Sequence, residues 1–499
     1  MICISFLRSR ASVAALILAC SATAMGDAEG QTGGTGPPLT MEPFAYRAFD
    51  GRETAAERGR ITVPERRGAP GGRTVEVAFV RLLTRAAQPD PPVVWMAGGP
   101  GTPGARMARV PVYFALFERI RARSDVILVD QRGLGMSSPV LDCPAADAPL
   151  DLFASEARWS AVFVERTAAC ARRWKEAGVD LAGYTSEESA DDIDDIRAAL
   201  GYERVSLLGH SYGTLLGQVY LQRHGERVHR AVLASVEGPN DRVSQPAVWD
   251  MLITRLGYFA ARDSALAGAV PDLAGLYRRV LDRLERQPVD VAITQRPSNQ
   301  PVTLRVGGIG LRWAMRMKMA DGRTYATIPA LLLALDRGEY QVLARELEPL
   351  YNGFSRSAMA TAVDCAGGWP EGRMMDAGKA AQGALFRNVN LQWESGACGG
   401  AGVRTGRGGP PVFTTVPTLF ISGTLDTNTP PFQAEEVRWG FPVSVHLVID
   451  NAGHESLPSP AVQAIVARFL AGEDVSAERV SFPAPRFAAT LSAPAGGPR

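Results

Sequence analysis

The chain has almost no net charge. Its 53 lysine and arginine residues are balanced by 52 aspartate and glutamate residues, which leaves a formal charge of +1 over 499 residues. Proteins that bind nucleic acids usually carry a strongly basic face. We therefore expect no nucleic-acid partner. With 46% hydrophobic and 21% charged residues, the composition is that of an ordinary globular protein.

Long apolar runs are also missing, apart from ASVAALILA at 11–19. This run follows two arginines, precedes an Ala-Thr-Ala site at 22–24, and is too short to span a membrane as a stable helix. The arrangement is typical of a secretory signal peptide over residues 1–24. We therefore predict a periplasmic or secreted protein without a transmembrane span once the leader is removed. Cys20 leaves an alternative open, a lipoprotein anchored through that cysteine.

Cysteine is scarce. Of the six present, two lie in the leader, and the others are Cys143, Cys170, Cys365 and Cys398. Four thiols in an exported chain are more typical of disulfides than of metal ligands, and we predict that sequence neighbours pair, 143 with 170 and 365 with 398. Buried free cysteines are the alternative. Because the chain has no Cys-x-x-Cys or His-x-x-x-His spacing, we expect neither a metal nor another cofactor.

Short β-rich runs alternate with helical patterns in the first part of the chain, as in PPVVWMAGG, SDVILVDQRG and ERVSLLGHS. Several of these runs are continuously apolar, which is typical of central strands covered by helices on both faces. The alternation stops near residue 240, is replaced by a mainly helical pattern, and resumes near PTLFISGTLD. The sequence therefore predicts an α/β fold, a doubly wound and mostly parallel sheet with a large, mainly helical cap insertion.

The predicted organisation has six segments. Residues 26–40 are too rich in glycine and polar residues to pack, and residues 482–499 are typical of a loose tail. The segments are a signal peptide (1–24), a linker (25–44), the first part of the core (45–239), a helical cap (240–412), the second part of the core (413–475) and a C-terminal tail (476–499).

The pentapeptide Gly-His-Ser-Tyr-Gly occupies residues 209–213, between the short strand RVSLL and the helical pattern TLLGQVYLQRHG. A strand, a sharp turn and a helix in this order present a nucleophilic serine above a sheet, near the N-terminus of the helix. Small residues at both ends of the pentapeptide let the backbone turn tightly. We predict that Ser211 is a nucleophile.

Histidine is scarce too, with five in the chain. A serine hydroxyl needs a base to accept its proton. In proteins with this type of turn, the serine, the acid and the base occur along the chain in the order Ser, Asp, His. His454, in the loop DNAGHES between the last strand and the last helix, is the predicted base. Asp426, after the strand TLFISG, is the predicted acid that orients it, and Asp450 is the alternative acid.

A tetrahedral intermediate needs hydrogen-bond donors for its oxyanion. The strand PPVVWMA leads into GGPGTPG at 98–104, where a bare glycine backbone can approach a substrate closely. We predict that the amides of Gly99 and Tyr212 form the oxyanion hole. A phosphate-binding loop is the alternative for this segment, although the Gly-Lys-Ser/Thr ending of such loops is absent.

Five motifs carry a family resemblance. AGGPGTPG, VDQRGLGMSS, GHSYGT, SGTLDTNTPP and NAGHE, in this order, resemble the proline iminopeptidase and tripeptidyl aminopeptidase group of α/β-hydrolase serine peptidases. The resemblance implies an α/β-hydrolase fold with a helical cap. It also implies an activity that releases N-terminal residues from peptides, often with a preference for proline.

The resemblance leads to a predicted function with alternatives. An aminopeptidase needs an anionic pocket for the substrate's ammonium group, and Glu237 and Asp364 are candidates for it. Ala97 stands where the family often has histidine, so a carboxylesterase that uses the same triad on small esters is the second candidate. A non-catalytic binding module with a hydrolase-like fold is the third. The expected partner is a peptide or a small ester.

Overall fold

The computed structural model describes residues 37–69, 71–143, 148–242, 245–266, 268–354, 357–387, 395–488 and 490–491. The predicted signal peptide, Cys20 and most of the predicted linker lie outside these residues, as do residues 492–499 of the predicted tail. Export and the lipid anchor therefore stay predictions.

A mixed β-sheet forms the centre of the fold. Within the described residues the strands are β1 (Leu39–Arg47), β2 (Glu53–Pro64), β3 (Thr74–Leu82), β4 (Asp90–Met96), β5 (Ser124–Asp130), β6 (Val205–His210), β7 (Val228–Ala234), β8 (Val289–Gln295), β9 (Gln300–Val306), β10 (Thr418–Gly423) and β11 (Ser444–Ile449). Nine of them pair in the order β1-β2-β3-β5-β4-β6-β7-β10-β11, and β8 pairs with β9 in a separate hairpin. From β5 to β11 neighbouring strands are parallel, whereas β1, β2 and β3 add to one edge as antiparallel strands.

Helices surround this sheet. They are α1 (Gly104–Met107), α2 (Pro111–Ile120), α3 (Glu156–Glu176), α4 (Ser186–Ala199), α5 (Tyr212–His224), α6 (Pro246–Ala260), α7 (Leu273–Arg286), α8 (Gly308–Ala320), α9 (Ile328–Asp336), α10 (Ala344–Asn352), α11 (Ala358–Gly367), α12 (Glu371–Gly383), α13 (Ser395–Ala401), α14 (Pro431–Arg438) and α15 (Pro460–Leu470). The segment from α6 to α13, which includes the hairpin β8–β9, is called the cap below. None of the described helices is both long and apolar enough to cross a membrane.

The central strands are buried on both faces. Every residue of β5, β6 and β10 is buried. Along β5, Ile127 and Val129 pack on one side with α4 and α5, while Val126 and Leu128 pack on the other with α2 and α15, as expected from the two-residue period of a strand. The predicted α/β-hydrolase fold, a mostly parallel sheet with helices on both faces and a helical insertion, is confirmed.

Two predicted segment boundaries differ from the structure. Residues 39–44, assigned to the linker, form the first part of β1. Most side chains of β1 are exposed, so the strand is held by backbone pairing with β2 and lacks the apolar pattern by which strands are predicted. The beginning of the predicted tail is packed, because the amide of Phe482 donates to the carbonyl of Asp450 and Phe487 is buried in the apolar cluster of the cap.

The cap has its own hydrophobic cluster, built around Trp249, Tyr277 and Trp313. Leu425, which belongs to the sheet side of the molecule, also packs into this cluster. Cap and sheet accordingly form one compact unit. Because the cap packs on Leu425, a movement of the cap can change the position of the loop that contains this residue.

Two disulfides cross-link the chain, and each of them involves at least one helix. Cys143 bonds to Cys170 of α3, and Cys365 of α11 bonds to Cys398 of α13. These are the two pairs of sequence neighbours predicted from the sequence. Cross-links that close loops of 27 and 33 residues each restrict the unfolded chain enough to stabilise the fold by roughly 3–4 kcal/mol. The second disulfide fixes the position of α11 in the cap.

Candidate active site

Ser211 lies at the junction of β6 and α5 with φ 55° and ψ −128°, a backbone conformation that is rare for a residue with a side chain. Two glycines make the turn possible. A β-carbon at Gly209 would lie 2.5 Å from the carbonyl oxygen of Gly213, and one at Gly213 would lie 1.9 Å from the carbonyl oxygen of Met96. Backbone strain of this kind costs about 1–3 kcal/mol and is concentrated at functional sites. The local geometry is that of a nucleophile elbow.

The glycine loop that follows β4 runs beside Ser211. A β-carbon at Gly98 would lie 2.9 Å from Cβ of Ser211 and 3.5 Å from its Oγ, so the backbone of the loop is in close contact with the candidate nucleophile. Gly99 has φ 123°, a conformation that only glycine adopts readily. Gly99 is a predicted site residue and Gly98 is not, although both belong to the same glycine-rich segment.

The predicted oxyanion donors are the amides of Gly99 and Tyr212. In the described part of the chain neither amide donates a hydrogen bond to a protein acceptor. Tyr212 is the first residue of α5, and the first N–H groups of a helix have no acceptor within it. The buried phenol of Tyr212 contacts Ser186 Oγ at 3.1 Å and Gln131 Oε1 at 3.4 Å, which anchors this end of the helix.

Asp426 and His454 are directly hydrogen-bonded. Asp426 Oδ2 lies 2.9 Å from His454 Nδ1. Oδ1 of the same carboxylate accepts hydrogen bonds from the amides of Asn428 and Thr429, at 2.9 and 3.0 Å, and Oδ2 accepts one from the Thr429 hydroxyl at 2.7 Å. The carboxylate is therefore held in a fixed orientation toward one imidazole nitrogen.

The alternative acid, Asp450, is placed differently. It follows β11, its side chain is exposed, and its backbone pairs with Ser481 and Phe482. The imidazole nitrogen Nδ1 of His454 is bonded to Asp426 instead. The structure thus brings Asp426, and not Asp450, to the predicted base.

The electrostatics of Asp426 and His454 are those of an ion pair. Burial raises the pKa of Asp426, but the His454 charge and the hydrogen bonds from His454 and Thr429 outweigh it and hold the pKa below its usual range. Burial lowers the pKa of His454, but Asp426 outweighs it, with smaller contributions from Glu455 and Glu237, and the pKa lies above the ordinary value of 6.5.

The backbone carbonyl of His454 is hydrogen-bonded to two side chains, those of Ser235 and His210. The carbonyl oxygen accepts hydrogen bonds from Ser235 Oγ at 2.7 Å and from His210 Nε2 at 3.2 Å. His210 immediately precedes Ser211, and the amide of Ser211 donates to Ala234, the residue before Ser235. Ser211 Oγ makes no hydrogen bond within the described ranges, and catalytic hydrogen bonds of this type are often formed only when substrate is bound.

Three polar residues of this site were not predicted from the sequence. Thr429 bonds to the acid and lies 3.2 Å from His454 Nδ1, while Ser235 and His210 hold the backbone of His454. For Thr429 a local signal existed, because an aspartate side chain often accepts a hydrogen bond from a backbone N–H a few residues further along the chain. Ser235 and His210 are more than two hundred residues from His454, and no local pattern connects them.

The two candidate ammonium-binding acids differ in their surroundings. Asp364 Oδ1 lies 3.2 Å from Arg242 Nη1, and this guanidinium also donates to the carbonyl of Val363. No ion pair or side-chain hydrogen bond of the Glu237 carboxylate occurs among the described residues. Burial raises the pKa of Glu237 to about 7, with Arg242 lowering it and Asp364 and Asp241 raising it further.

Helix α11 brings Asp364 toward the glycine loop. A β-carbon at Gly101 would lie 3.1 Å from Cβ of Ala360, so the first turn of α11 packs on the loop. Asp364 is one turn further along this helix and precedes Cys365 of the second disulfide. The part of the chain that the structure describes holds no group of three or more His, Cys, Asp or Glu side chains arranged to bind a metal ion.

Comparison with known proteins gives family-model matches in two segments of the chain. A family model described as "alpha/beta hydrolase fold" matches residues 91–291, and one described as "TAP-like protein" matches residues 390–480. The tripeptidyl aminopeptidase of Streptomyces coelicolor is 31% identical over 202 residues, which is 38% of this chain and 36% of that protein. The serine protease Hip1 of Mycobacterium tuberculosis is 30% identical over 190 residues, which is 36% of each chain. The matched region thus spans about a third of the length of these relatives.

Among solved structures, the proline iminopeptidase of Mycobacterium smegmatis aligns over 84% of this chain and 100% of its own, at 18% identity and a TM-score of 0.40. The two family models together match more than half of the chain, and the second falls on the segment that carries Asp426 and His454. The chain has the α/β-hydrolase fold, and its matched segments are similar to the α/β-hydrolase and TAP-like families and to tripeptidyl aminopeptidases.

Proposed function

We propose that this protein is an exported serine hydrolase that releases residues from the free N-terminus of peptides through an acyl-enzyme on Ser211. One observation carries the proposal: the Asp426–His454 pair, in which the carbonyl of His454 accepts hydrogen bonds from His210, the residue before Ser211, and from Ser235. A histidine oriented by a buried carboxylate is suited to accept a proton from a serine hydroxyl.

The proposed mechanism assigns each group one task. Ser211 Oγ attacks the scissile carbonyl while His454 Nε2 accepts the hydroxyl proton, and Asp426 stabilises the imidazolium through Nδ1. The amides of Gly99 and Tyr212 bind the oxyanion of the tetrahedral intermediate. His454 then donates its proton to the leaving amine, and a water molecule that it deprotonates releases the acyl group from Ser211.

Glu237 is the proposed ligand of the substrate's ammonium group. It lies just beyond β7, three residues after Ala234, whose carbonyl accepts from the Ser211 amide. Its negative charge is one of the smaller contributions to the raised pKa of His454. Asp364 is already paired with Arg242, so its charge is largely neutralised and its proposed role is to hold α11 against the pocket.

Export to the periplasm or the medium is part of the proposal. Disulfides such as Cys143–Cys170 and Cys365–Cys398 form and persist in oxidising compartments. The predicted signal peptide at 1–24 agrees with this location, and attachment through Cys20 is the alternative. The peptide substrate is supported by the relatives, which are named a tripeptidyl aminopeptidase and a serine protease.

A substrate panel tests the proposed function. Purified protein is assayed with chromogenic anilides that carry one, two or three residues, each with a free or an acetylated N-terminus, and with short-chain phenyl esters. We expect kcat/KM for the free peptides to exceed that for the acetylated ones by about 10- to 100-fold, because a charged hydrogen bond to the ammonium group is lost on acetylation. Cleavage of esters alone would instead support the carboxylesterase. No turnover at all would support the non-catalytic binding module.

Glu237→Gln is expected to lower kcat/KM for free peptides about 10- to 100-fold, because the ammonium group loses its counter-charge. Ester hydrolysis should stay within about threefold, since no ammonium group is bound. The wild-type KM for free peptides should rise as the pH falls through about 7, where Glu237 becomes protonated, and E237Q should lose this dependence. Glu226→Gln, at an exposed acid, is the control. Equal losses on peptides and esters would contradict the assignment.

A further inference from the structure

One side chain of the cap, Tyr325, contacts the loop that carries the catalytic acid. Tyr325 lies in the short 3₁₀ helix Gly322–Thr327 between α8 and α9, and only 1% of its surface is exposed. Its phenol donates a hydrogen bond to the carbonyl oxygen of Leu425 at 2.9 Å. Leu425 immediately precedes Asp426 and is itself buried. The cap is thus hydrogen-bonded to the peptide group that leads into Asp426.

Tyr325 also borders the loop that carries His454. A β-carbon at Gly453 would lie 2.9 Å from the phenol oxygen, so the backbone next to His454 packs on Tyr325. The amide of Leu425 donates to the carbonyl of Ala452 at 2.8 Å, which joins the two loops directly. Leu425 is therefore bonded through its N–H to the histidine loop and through its C=O to the cap.

The phenol has one proton and two acceptors. Besides Leu425, it lies 3.2 Å from the carbonyl oxygen of Met319, near the end of α8. A cap that shifts away from the sheet can keep this proton bonded inside the cap, so no buried donor is left without a partner. The phenol proton therefore keeps an acceptor whether or not the contact with Leu425 is made.

The turn that holds Tyr325 is fixed within the cap. Lys318 Nζ donates to Thr327 Oγ1 at 2.9 Å and forms an ion pair with Glu346 at 2.9 Å. Asp321 caps the beginning of the turn by accepting a hydrogen bond from the Arg323 amide. The position of the phenol therefore follows the position of the cap as a whole.

We propose that Tyr325 is a positioning residue through which the seated cap sets the alignment of Asp426 and His454. Removing its hydrogen bond leaves Leu425 free to shift, and the loops of the acid and the base shift with it. The inference rests on the proposed function, because it assumes that Asp426 and His454 act on Ser211. It adds that catalytic competence depends on cap docking even for substrates too small to touch the cap.

Tyr325→Phe, assayed on a short-chain phenyl ester, tests this role. The variant removes one hydroxyl, and the ester does not require Glu237. We expect kcat to fall roughly tenfold with KM within about twofold, since the alignment of the catalytic groups changes while the binding of a small ester does not. The rise of kcat/KM with pH, which reports the deprotonation of His454, should have its midpoint at a lower pH in this variant. His454 faces Asp426, Glu455, Glu237 and His210, and of these groups Asp426 contributes most to its raised pKa and directly follows Leu425, the residue that Tyr325 contacts.

Tyr277→Phe is the matched control. Tyr277 is another fully buried tyrosine of the cap, and its phenol has no hydrogen-bond partner within the described residues. We expect Y277F to match the wild type in kcat and in pH profile. If Y325F also matches the wild type, or loses only thermal stability, the positioning role is wrong.

A second variant covers the case in which Y325F does not fold. Arg255, an exposed residue of α6, donates to the carbonyl of Thr424 at 3.3 Å and forms the neighbouring link from the cap to the acid loop. Arg255→Gln should lower kcat about two- to threefold with the same direction of pH shift, and unchanged kinetics would overturn the coupling of cap and loop. Labelling of wild-type Ser211 by a fluorophosphonate separates the two proposals. An unlabelled wild type contradicts the proposed function, whereas an active wild type matched by its variants contradicts this inference alone.

Discussion

Ser211→Ala is expected to abolish hydrolysis of peptides and esters alike, with kcat reduced about 10⁴- to 10⁶-fold. The substitution removes the only atom that bonds covalently to the acyl group in the proposed mechanism. Binding should survive, because Glu237 and the predicted oxyanion amides of Gly99 and Tyr212 are unchanged. The measurements are kcat on the substrate panel, binding of a slowly cleaved peptide, and labelling by a fluorophosphonate.

Two controls separate loss of chemistry from loss of folding. Ser211→Gly should be as inactive as S211A and at least as stable, because glycine adopts φ 55° without the strain that serine bears there. Ser189→Ala removes another buried hydroxyl, one that has no hydrogen-bond partner in the described residues, and should leave kcat unchanged. Residual activity of S211A above about 1% of wild type would contradict Ser211 as the nucleophile.

Asp426→Asn is expected to lower kcat about 10³- to 10⁴-fold while the fold stays intact. The asparagine can keep the contact of 2.9 Å with His454 Nδ1 but offers an N–H where the carboxylate offered an acceptor. The histidine is then held in the tautomer whose Nε2 carries a proton and cannot accept one from Ser211. The measurements are kcat at saturating ester and the far-ultraviolet circular dichroism spectrum of the variant.

The same variant should change the pH dependence of activity. His454 must be neutral to act as a base, and although burial lowers its pKa, Asp426 raises it above 6.5, so wild-type kcat/KM should increase with a midpoint above that value. Without the negative charge the pKa of His454 falls. The residual activity of D426N should therefore have its midpoint at lower pH than the wild type, and a shift to higher pH would contradict the assignment.

Stability should follow the same ion pair. The raised pKa of His454 contributes stability below about 6.5 that is lost as the pH rises through its folded value, and the lowered pKa of Asp426 contributes stability above about 3.8 that is lost as the pH falls. D426N should thus lose most unfolding free energy between about pH 4 and pH 6.5. Asp450→Asn, at the exposed alternative acid, is the control, and an equal loss there would contradict the assignment.

Some features could be predicted because their causes are local in the chain. Gly209 and Gly213 are four residues apart, and their close contact is what makes the turn at Ser211 possible. The bonded cysteines are 27 residues apart in one disulfide and 33 residues apart in the other. In both cases the partners are neighbouring cysteines of the sequence, as predicted. The buried strands β5, β6 and β10 are apolar along their whole length, which signals parallel strands under helices.

Other features left no local signal. The exposed strand β1 lacks an apolar pattern because its pairing is made by backbone groups. The packed residues 481–488 contain prolines and small residues typical of a tail, and only the burial of Phe487 against the cap reveals their place. Gly98 and Gly99 are equivalent in the sequence, and the contact of Gly98 with Ser211 is visible only in the fold.

The sequence by itself determined the fold class and the elbow at Ser211, and it selected the cysteine pairs, Asp426 and His454 as candidates, because the residue types around each of them are typical of that role. Tertiary structure alone decided which acid meets the histidine, that Asp364 is paired while Glu237 has no side-chain partner among the described residues, and that Tyr325 links the cap to the acid loop. The contacts of Asp364 with Arg242 and of Tyr325 with Leu425 join groups about a hundred or more residues apart, and the second ends on a backbone carbonyl. Every residue presents the same carbonyl, so no pattern of residue types can encode such a contact before the chain has folded.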